Sequence, residues 1–228
     1  MAILQVLGYP GHFQAVLQIM YIPFIITTMQ SWSHNRFALF TVIGAAVWLA
    51  FLPLYDWLFA WTQFVPGISW IYLPHGLRIL LVLLLGPAGA LGFTIGAALH
   101  TRYSAYGTHL DPVLDLLLAV IPGLAAWLAV MLTFRHWPGR SLQPLGWSNA
   151  GTLDGSRLLL LAFVSAILNS TSHITARYAL GNEAHDWADL LTAMFIGDLF
   201  GALFLLYILK GCILLFDHFN STVIHHER

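Results

Sequence analysis

Two charged residues stand inside long apolar runs, and chemistry in this chain has to start from them. Arg78 follows Tyr72-Leu73-Pro74-His75-Gly76-Leu77, and Asp198 lies within Phe195-Ile196-Gly197-Asp198-Leu199-Phe200-Gly201. A charge placed in hydrocarbon costs about 2.5–3.5 kcal/mol on insertion scales. Each therefore faces a protein interior and needs a partner there. An Arg78–Asp198 ion pair is the first expectation, and it would join distant parts of the chain. Such a pair serves either as a structural lock on helix register or as a ligand or proton site. A second polar group is Asn169-Ser170-Thr171-Ser172-His173. Asn169 and His173 are four residues apart and share a helix face. With Ser165 and Ser172 they are candidates to line a polar cavity. Interhelical hydrogen bonding is the alternative use of the same side chains.

Other chemistries have weaker footing. His75 and His100 flank a broken apolar run, and the chain holds 11 His. No pair of them has a ligand spacing such as His-Glu-x-x-His, so neither a metal nor another cofactor is expected. The one cysteine, Cys212, excludes an intramolecular disulfide and a cysteine cluster within one chain. The sequence has no Gly-rich phosphate loop, no Gly-x-Ser-x-Gly elbow and no paired acidic motif, so an enzyme is not expected. Gly86, Gly89, Gly92 and Gly96 recur at three- and four-residue spacing, and Gly197 and Gly201 form a second small-residue pair beside Asp198. Both read first as surfaces for close helix approach.

The elements that position these residues are membrane helices. Hydrophobic residues make up 59% of the chain and charged residues 8%. A soluble domain carries about 25% charged residues, so most of this surface must meet lipid. The 9 Trp, 8 Tyr and 15 Phe suit interfacial aromatic belts. A net charge of -1 argues against a nucleic-acid partner. The expected fold is all-α: a polytopic transmembrane bundle forming a single integral membrane domain over 1–228, with a short polar tail at 217–228. Candidate spans are 13–29, 37–61, 77–99, 112–134, 156–178 and 187–216. The third is broken at Gly86-Pro87-Ala88-Gly89, and Pro122-Gly123 marks a kink in the fourth. No Lys or Arg precedes Arg36 and no cleavage site follows the first apolar segment, so that segment is expected to be retained.

Charge distribution bears on the span count. With six spans, Arg135, Arg140, Arg157, Lys210 and Arg228 lie on one side, against Arg36, Arg102 and Arg177 on the other. If the broken run is a helical hairpin beginning near Ile68, there are seven spans and Arg36 joins the first group. The asymmetry then sharpens in the sense of the positive-inside rule. Seven spans are favoured over six on that ground, with the C-terminus in the cytoplasm and the acidic loop 183–189 outside.

Two segments carry a family resemblance. Trp70-Ile71-Tyr72-Leu73-Pro74-His75-Gly76-Leu77-Arg78, followed by a Leu-rich run and Gly86-Pro87, resembles a signature of the membrane-associated sensor domains of the first type. Gly197-Asp198-Leu199-Phe200-Gly201 is similar to the Gly-Asp-x-x-Gly segment of that family's last helix. The resemblance covers roughly 37–216 and carries over Pro74, Gly76, Arg78, Gly197, Asp198 and Gly201. It implies a sensory module of the bacterial inner (cytoplasmic) membrane. Such modules are usually fused to histidine kinase, diguanylate cyclase or phosphodiesterase domains. This sequence ends about a dozen residues after the last span, so a stand-alone copy without an output domain is expected, with fewer spans than are usual for the family. The expected function is to bind a small-molecule ligand or a membrane protein partner near His75, Arg78, Asn169, His173 and Asp198, and to signal through the partner. The alternatives are the substrate-binding component of a small-molecule transporter and an accessory or assembly subunit of a membrane complex.

Overall fold

In a bilayer every backbone polar group has to be satisfied within the protein, and a long apolar run does this as a helix. The structure is a computed structural model, and it describes residues 34–103, 112–134, 154–180 and 185–226. Residues from Ala38 onward belong to one compact unit; of the preceding unit, Met1–Phe37, only 34–37 are described, as the start of a helix. The candidate span at 13–29 and the loop at 135–153 lie outside the described residues. The helices are α1 (His34–Phe59), α2 (Leu73–Tyr103), α3 (Pro112–Phe134), α4 (Gly155–Leu180) and α5 (Trp187–His226). A 3-10 turn, Ala60–Thr62, leads from α1 into a small antiparallel pair, β1 (Gln63–Val65) and β2 (Ile68–Ser69). Gly67 makes its turn with φ 84°. The all-α expectation holds, and among the described residues five helices are long and apolar enough to cross a membrane. α5 stays helical to His226, through the stretch read from sequence as a polar tail.

α2 is one helix by length and hydrogen bonding, but it is not one rod. Gly86 has φ 60° and ψ -142°, a conformation open essentially to glycine alone. Pro87 follows, with its φ already set for a first helical turn. Arg78 and Phe93 would lie about 22 Å apart along a straight helix at 1.5 Å per residue. Instead the Arg78 guanidinium carbon is 5.3 Å from the centre of the Phe93 ring. A Cβ on Gly89 would fall 2.1 Å from the Leu81 carbonyl oxygen. At the other end, the Tyr55 hydroxyl donates to the Ile71 carbonyl at 2.7 Å, while its neighbour Asp56 interacts with His100. Both ends of α2 therefore meet the same end of α1, and the limbs 73–85 and 87–103 fold back on each other. Each limb, about 20 and 26 Å long, is shorter than the roughly 30 Å hydrocarbon core.

The glycine stripe explains the packing around this hairpin. Gly89 receives the hairpin's own first limb. Gly92 and Gly96 receive α1: a Cβ on Gly92 would sit 2.3 Å from the Thr41 carbonyl oxygen. α1 lies along the hairpin through Trp48, Leu52 and Tyr55, which pack with Leu73, Leu81 and Phe93. α2, α3, α4 and α5 close a ring, each against the next and α5 against α2. Its core includes Ile79, Val82, Ala126, Leu161, Ala202 and Leu206. Outward faces are apolar as well, with Leu159, Phe163, Phe200 and Phe204 exposed, as lipid contact requires. Trp57, Trp61 and Trp187, at the ends of their helices, are exposed, as residues of an interfacial aromatic belt are.

Candidate functional site

The site forms where α5 lies directly on the backbone that enters α2. A Cβ on Gly197 would stand 1.9 Å from the Ser69 carbonyl oxygen, and one on Gly201 2.0 Å from that of Tyr72. One on Gly76 would stand 2.8 Å from the Gly201 carbonyl oxygen. Only glycine permits this approach. It lets the Tyr72 N–H donate to the Gly197 carbonyl, in the middle of α5, at 3.0 Å. Pro74 is buried at the first turn of α2, where its missing N–H deprives no helical bond. Gly76, Gly197 and Gly201 are thus packing residues that set the site, and Asp198 follows Gly197 into the interior.

Asp198 is fully buried. Its Oδ2 accepts a hydrogen bond from Asn169 Nδ2 at 2.6 Å, from α4 to α5. Its Oδ1 lies 3.5 Å from His75 Nδ1. On the other side of the same ring nitrogen, Arg78 Nη1 lies at 3.3 Å. The expected Arg78–Asp198 pair is therefore not a direct contact: His75 stands between the two charges. The rest of the Arg78 guanidinium is surrounded by aromatic faces, with its carbon 5.0 Å from the Tyr72 ring centre and 5.5 Å from that of Trp48, in addition to Phe93. Such contacts compensate a desolvated cation.

Two members of the cluster lie near the middle of their candidate spans. Asn169 and Asp198 each fall within about one helical turn of the middle of their spans, Gly155–Ala179 and Trp187–Leu215. Ser165 and Ser170 are buried beside Asn169, and His173 is half-buried one turn further along α4. Ser170 donates to the Ala166 carbonyl at 2.7 Å and so serves its own helix. Ser172, expected to line the same cavity, is exposed: at about 100° per residue it stands about 60° round the helix from Asn169, to the side away from His173, and that rotation carries it out of the packed interior.

Several buried polar atoms here have no hydrogen-bond partner: His75 Nε2, Arg78 Nε, Ser165 Oγ, Asn169 Oδ1, His173 Nδ1, Asp198 Oδ1 and Trp48 Nε1. Leaving a buried polar group unsatisfied costs about 1–3 kcal/mol. A pair kept only to lock helix register has no need to carry that penalty at so many atoms. Among the described residues, no three His, Cys, Asp or Glu side chains gather as a metal site.

Sequence reasoning found Arg78, Asp198, Asn169 and His75 but missed the aromatic cage. Trp48 and Phe93 are ordinary residues of apolar helices, and nothing in their spacing links them to Arg78. Their role follows from the reversal at Gly86. Compared with known proteins, the chain matches no family model, no curated protein and no solved structure.

Proposed function

We propose that this protein is an integral membrane sensor-like module whose input site is the buried cluster of His75, Arg78, Asn169 and Asp198. One observation carries the reading. Near the middle of the spans α4 and α5, side chains from α2, α4 and α5 converge on one another and leave donors and acceptors unengaged. Buried ionisable groups within membrane spans are functional sites by default. A small ligand that supplies the missing partners favours one arrangement of the helices over another, and a membrane protein partner reads that arrangement. The resemblance around Pro74–Arg78 and Gly197–Gly201 supports this reading and a bacterial inner membrane, and the distribution of Lys and Arg among the loops supports a cytoplasmic C-terminus. No catalysis by the chain itself is invoked.

A second reading has its own observation. The hairpin at Gly86 sets short helical limbs beside a polar site near the middle of the spans α4 and α5, a plan used by transport proteins. The substrate-binding component of a small-molecule transporter would use the same cluster to hold its substrate.

Purification from native membranes in mild detergent, with wild type beside Asp198→Asn, separates the readings. A signalling protein that accompanies wild type and is lost from a folded Asp198→Asn variant is the expected result. An ATPase with a coupling subunit favours transport. A stoichiometric complex indifferent to the substitution removes the cluster from the function.

A further inference from the structure

His75 Nδ1 has two claimants. Arg78 Nη1 is 3.3 Å away and Asp198 Oδ1 is 3.5 Å away. One ring nitrogen serves only one of them at a time. As a lone pair it accepts from the guanidinium; as an N–H it donates to the carboxylate. Neither choice is locked by a third group, because His75 Nε2, Asp198 Oδ1 and Arg78 Nε have no hydrogen-bond partner. Asp198 Oδ2 is different: Asn169 holds it at 2.6 Å. Oδ1 is therefore the oxygen with a lone pair to offer.

Volume narrows the ligand. The side chains of His75 and Asp198 are 0% and 1% exposed. Any molecule reaching both must first force the helices apart, whereas a proton enters without displacing an atom. We propose that the His75–Asp198 pair is a proton-binding site, and that proton occupancy exchanges the partner of His75 between Arg78 and Asp198. This inference rests on the cluster being the input site and names its ligand.

The step is a simple addition. With neutral His75, the charges of Arg78 and Asp198 cancel. One proton from hydronium adds to a lone pair of the pair and is shared between Asp198 Oδ1 and His75 Nδ1. The hydronium O–H bond breaks and leaves water, no bond within the protein breaks, and the cluster goes from neutral to singly positive. His75 Nδ1 then bonds Asp198 and no longer accepts from Arg78. The remaining neighbours of Arg78 are Trp48 on α1, Tyr72 before α2 and Phe93 on the second limb. Release of the guanidinium is thus felt by α1 and by both limbs of the hairpin.

The surroundings of the pair come from several elements. α2 itself presents Arg78. The segment before it presents Tyr72, which interacts with both Arg78 and Asp198. α4 presents His173 and, further along, Arg177. α1 presents Tyr55 and Asp56 at its end. On α3, the buried Oδ1 of Asp115 has no hydrogen-bond partner.

The test is pH-difference infrared spectroscopy on the full chain in lipid nanodiscs, between about pH 5 and pH 9, with circular dichroism confirming the fold throughout. Wild type is expected to show reversible protonated-carboxyl and histidine-ring bands. The carboxyl band is lost in Asp198→Asn and the histidine band in His75→Gln. The Trp48 contribution to fluorescence, wild type minus Trp48→Phe, follows the same midpoint. Wild type without such bands, or with bands that survive both substitutions, overturns the proton site; a Trp48 signal indifferent to pH overturns the exchange of partners. If the variants do not fold, wild type labelled with 15N-histidine decides the matter in D2O. An exchange-protected ring whose tautomer changes with pH supports the proposal, and a constant one overturns it. The two proposals fail separately. No titration with partner binding still sensitive to Asp198→Asn removes the proton and keeps the input site. Titration with indifferent partner binding does the reverse.

Discussion

The Asn169 carboxamide and the Asp198 carboxylate meet at 2.6 Å between α4 and α5, both fully buried. A hydrogen bond to a charged group contributes about 1.5–3 kcal/mol. Asn169→Leu should lower stability by about that amount, because the carboxylate stays behind without its donor. The double variant Asn169→Leu/Asp198→Leu should be less destabilised than the sum of the single ones, since both ends of the bond leave together. Unfolding in mixed micelles measures this; strict additivity would mean that the two groups are not coupled.

Glycine positions on α5 should divide sharply. Gly197→Ala and Gly201→Ala place a Cβ about where a carbonyl oxygen already stands, at 1.9 and 2.0 Å. Each is expected to cost about 1–3 kcal/mol or more by overpacking. Gly211→Ala meets nothing within 4 Å and should leave the thermal midpoint unchanged or slightly raised. Equal behaviour of the three would contradict the close approach of α5 to the Ser69–Leu73 backbone.

The reversal at Gly86 is measurable as a distance. Spin labels at Leu77→Cys and Ile95→Cys, with Cys212 replaced by Ser, would lie about 27 Å apart on a straight helix. In the hairpin their limbs are in contact, with axes about 8–10 Å apart, so strong dipolar broadening is expected. Gly86→Ala should destabilise by about 1–3 kcal/mol, since it forces a Cβ into a backbone conformation that side chains rarely adopt. A long inter-label distance would restore the single rod.

Arg78 should not tolerate lysine. Its guanidinium is within 5.5 Å of three ring centres and 3.3 Å from His75. A lysine ammonium is a compact point charge and does not stack as the planar guanidinium does. Arg78→Lys is expected to lower stability by about 1–2 kcal/mol, the scale of a desolvated cation–π contact. A midpoint equal to wild type in thermal unfolding would show that charge alone is what the cage requires.

At the start of α4 the prediction concerns pH. Ser156 Oγ donates to Asp154 Oδ2 at 2.5 Å, and this bond, helped by backbone N–H groups, holds the Asp154 carboxyl below its ordinary value. A depressed carboxyl stabilises the fold above the unfolded value near 3.9 and loses that contribution as pH falls through the folded value. The thermal midpoint of wild type should therefore exceed that of Ser156→Ala at neutral pH and converge with it in acid. Because Asp154 is exposed, the gap should be small and should shrink with salt. A gap that persists in acid would assign the effect to the serine alone.

Composition and hydrophobic run length determined the class of this protein, because a chain with 8% charged residues has no soluble solution to its surface. Cost determined where to look: Arg78 and Asp198 stand out since a charge in a span demands a reason. Glycine spacing announced close approach but not between which elements. Gly89 and Gly92, only three residues apart in one stripe, serve different neighbours, the hairpin's own first limb and α1. Only the tertiary structure decided that Arg78 and Asp198 meet through His75, that Trp48 and Phe93 cage the guanidinium, and that Ser172 turns outward. These outcomes depend on the backbone reversal at Gly86 and on the exact rotation of α4 and α5. Rotation about a helix axis is set by packing with neighbours, and in spans that are apolar on every face no pattern along the chain records it.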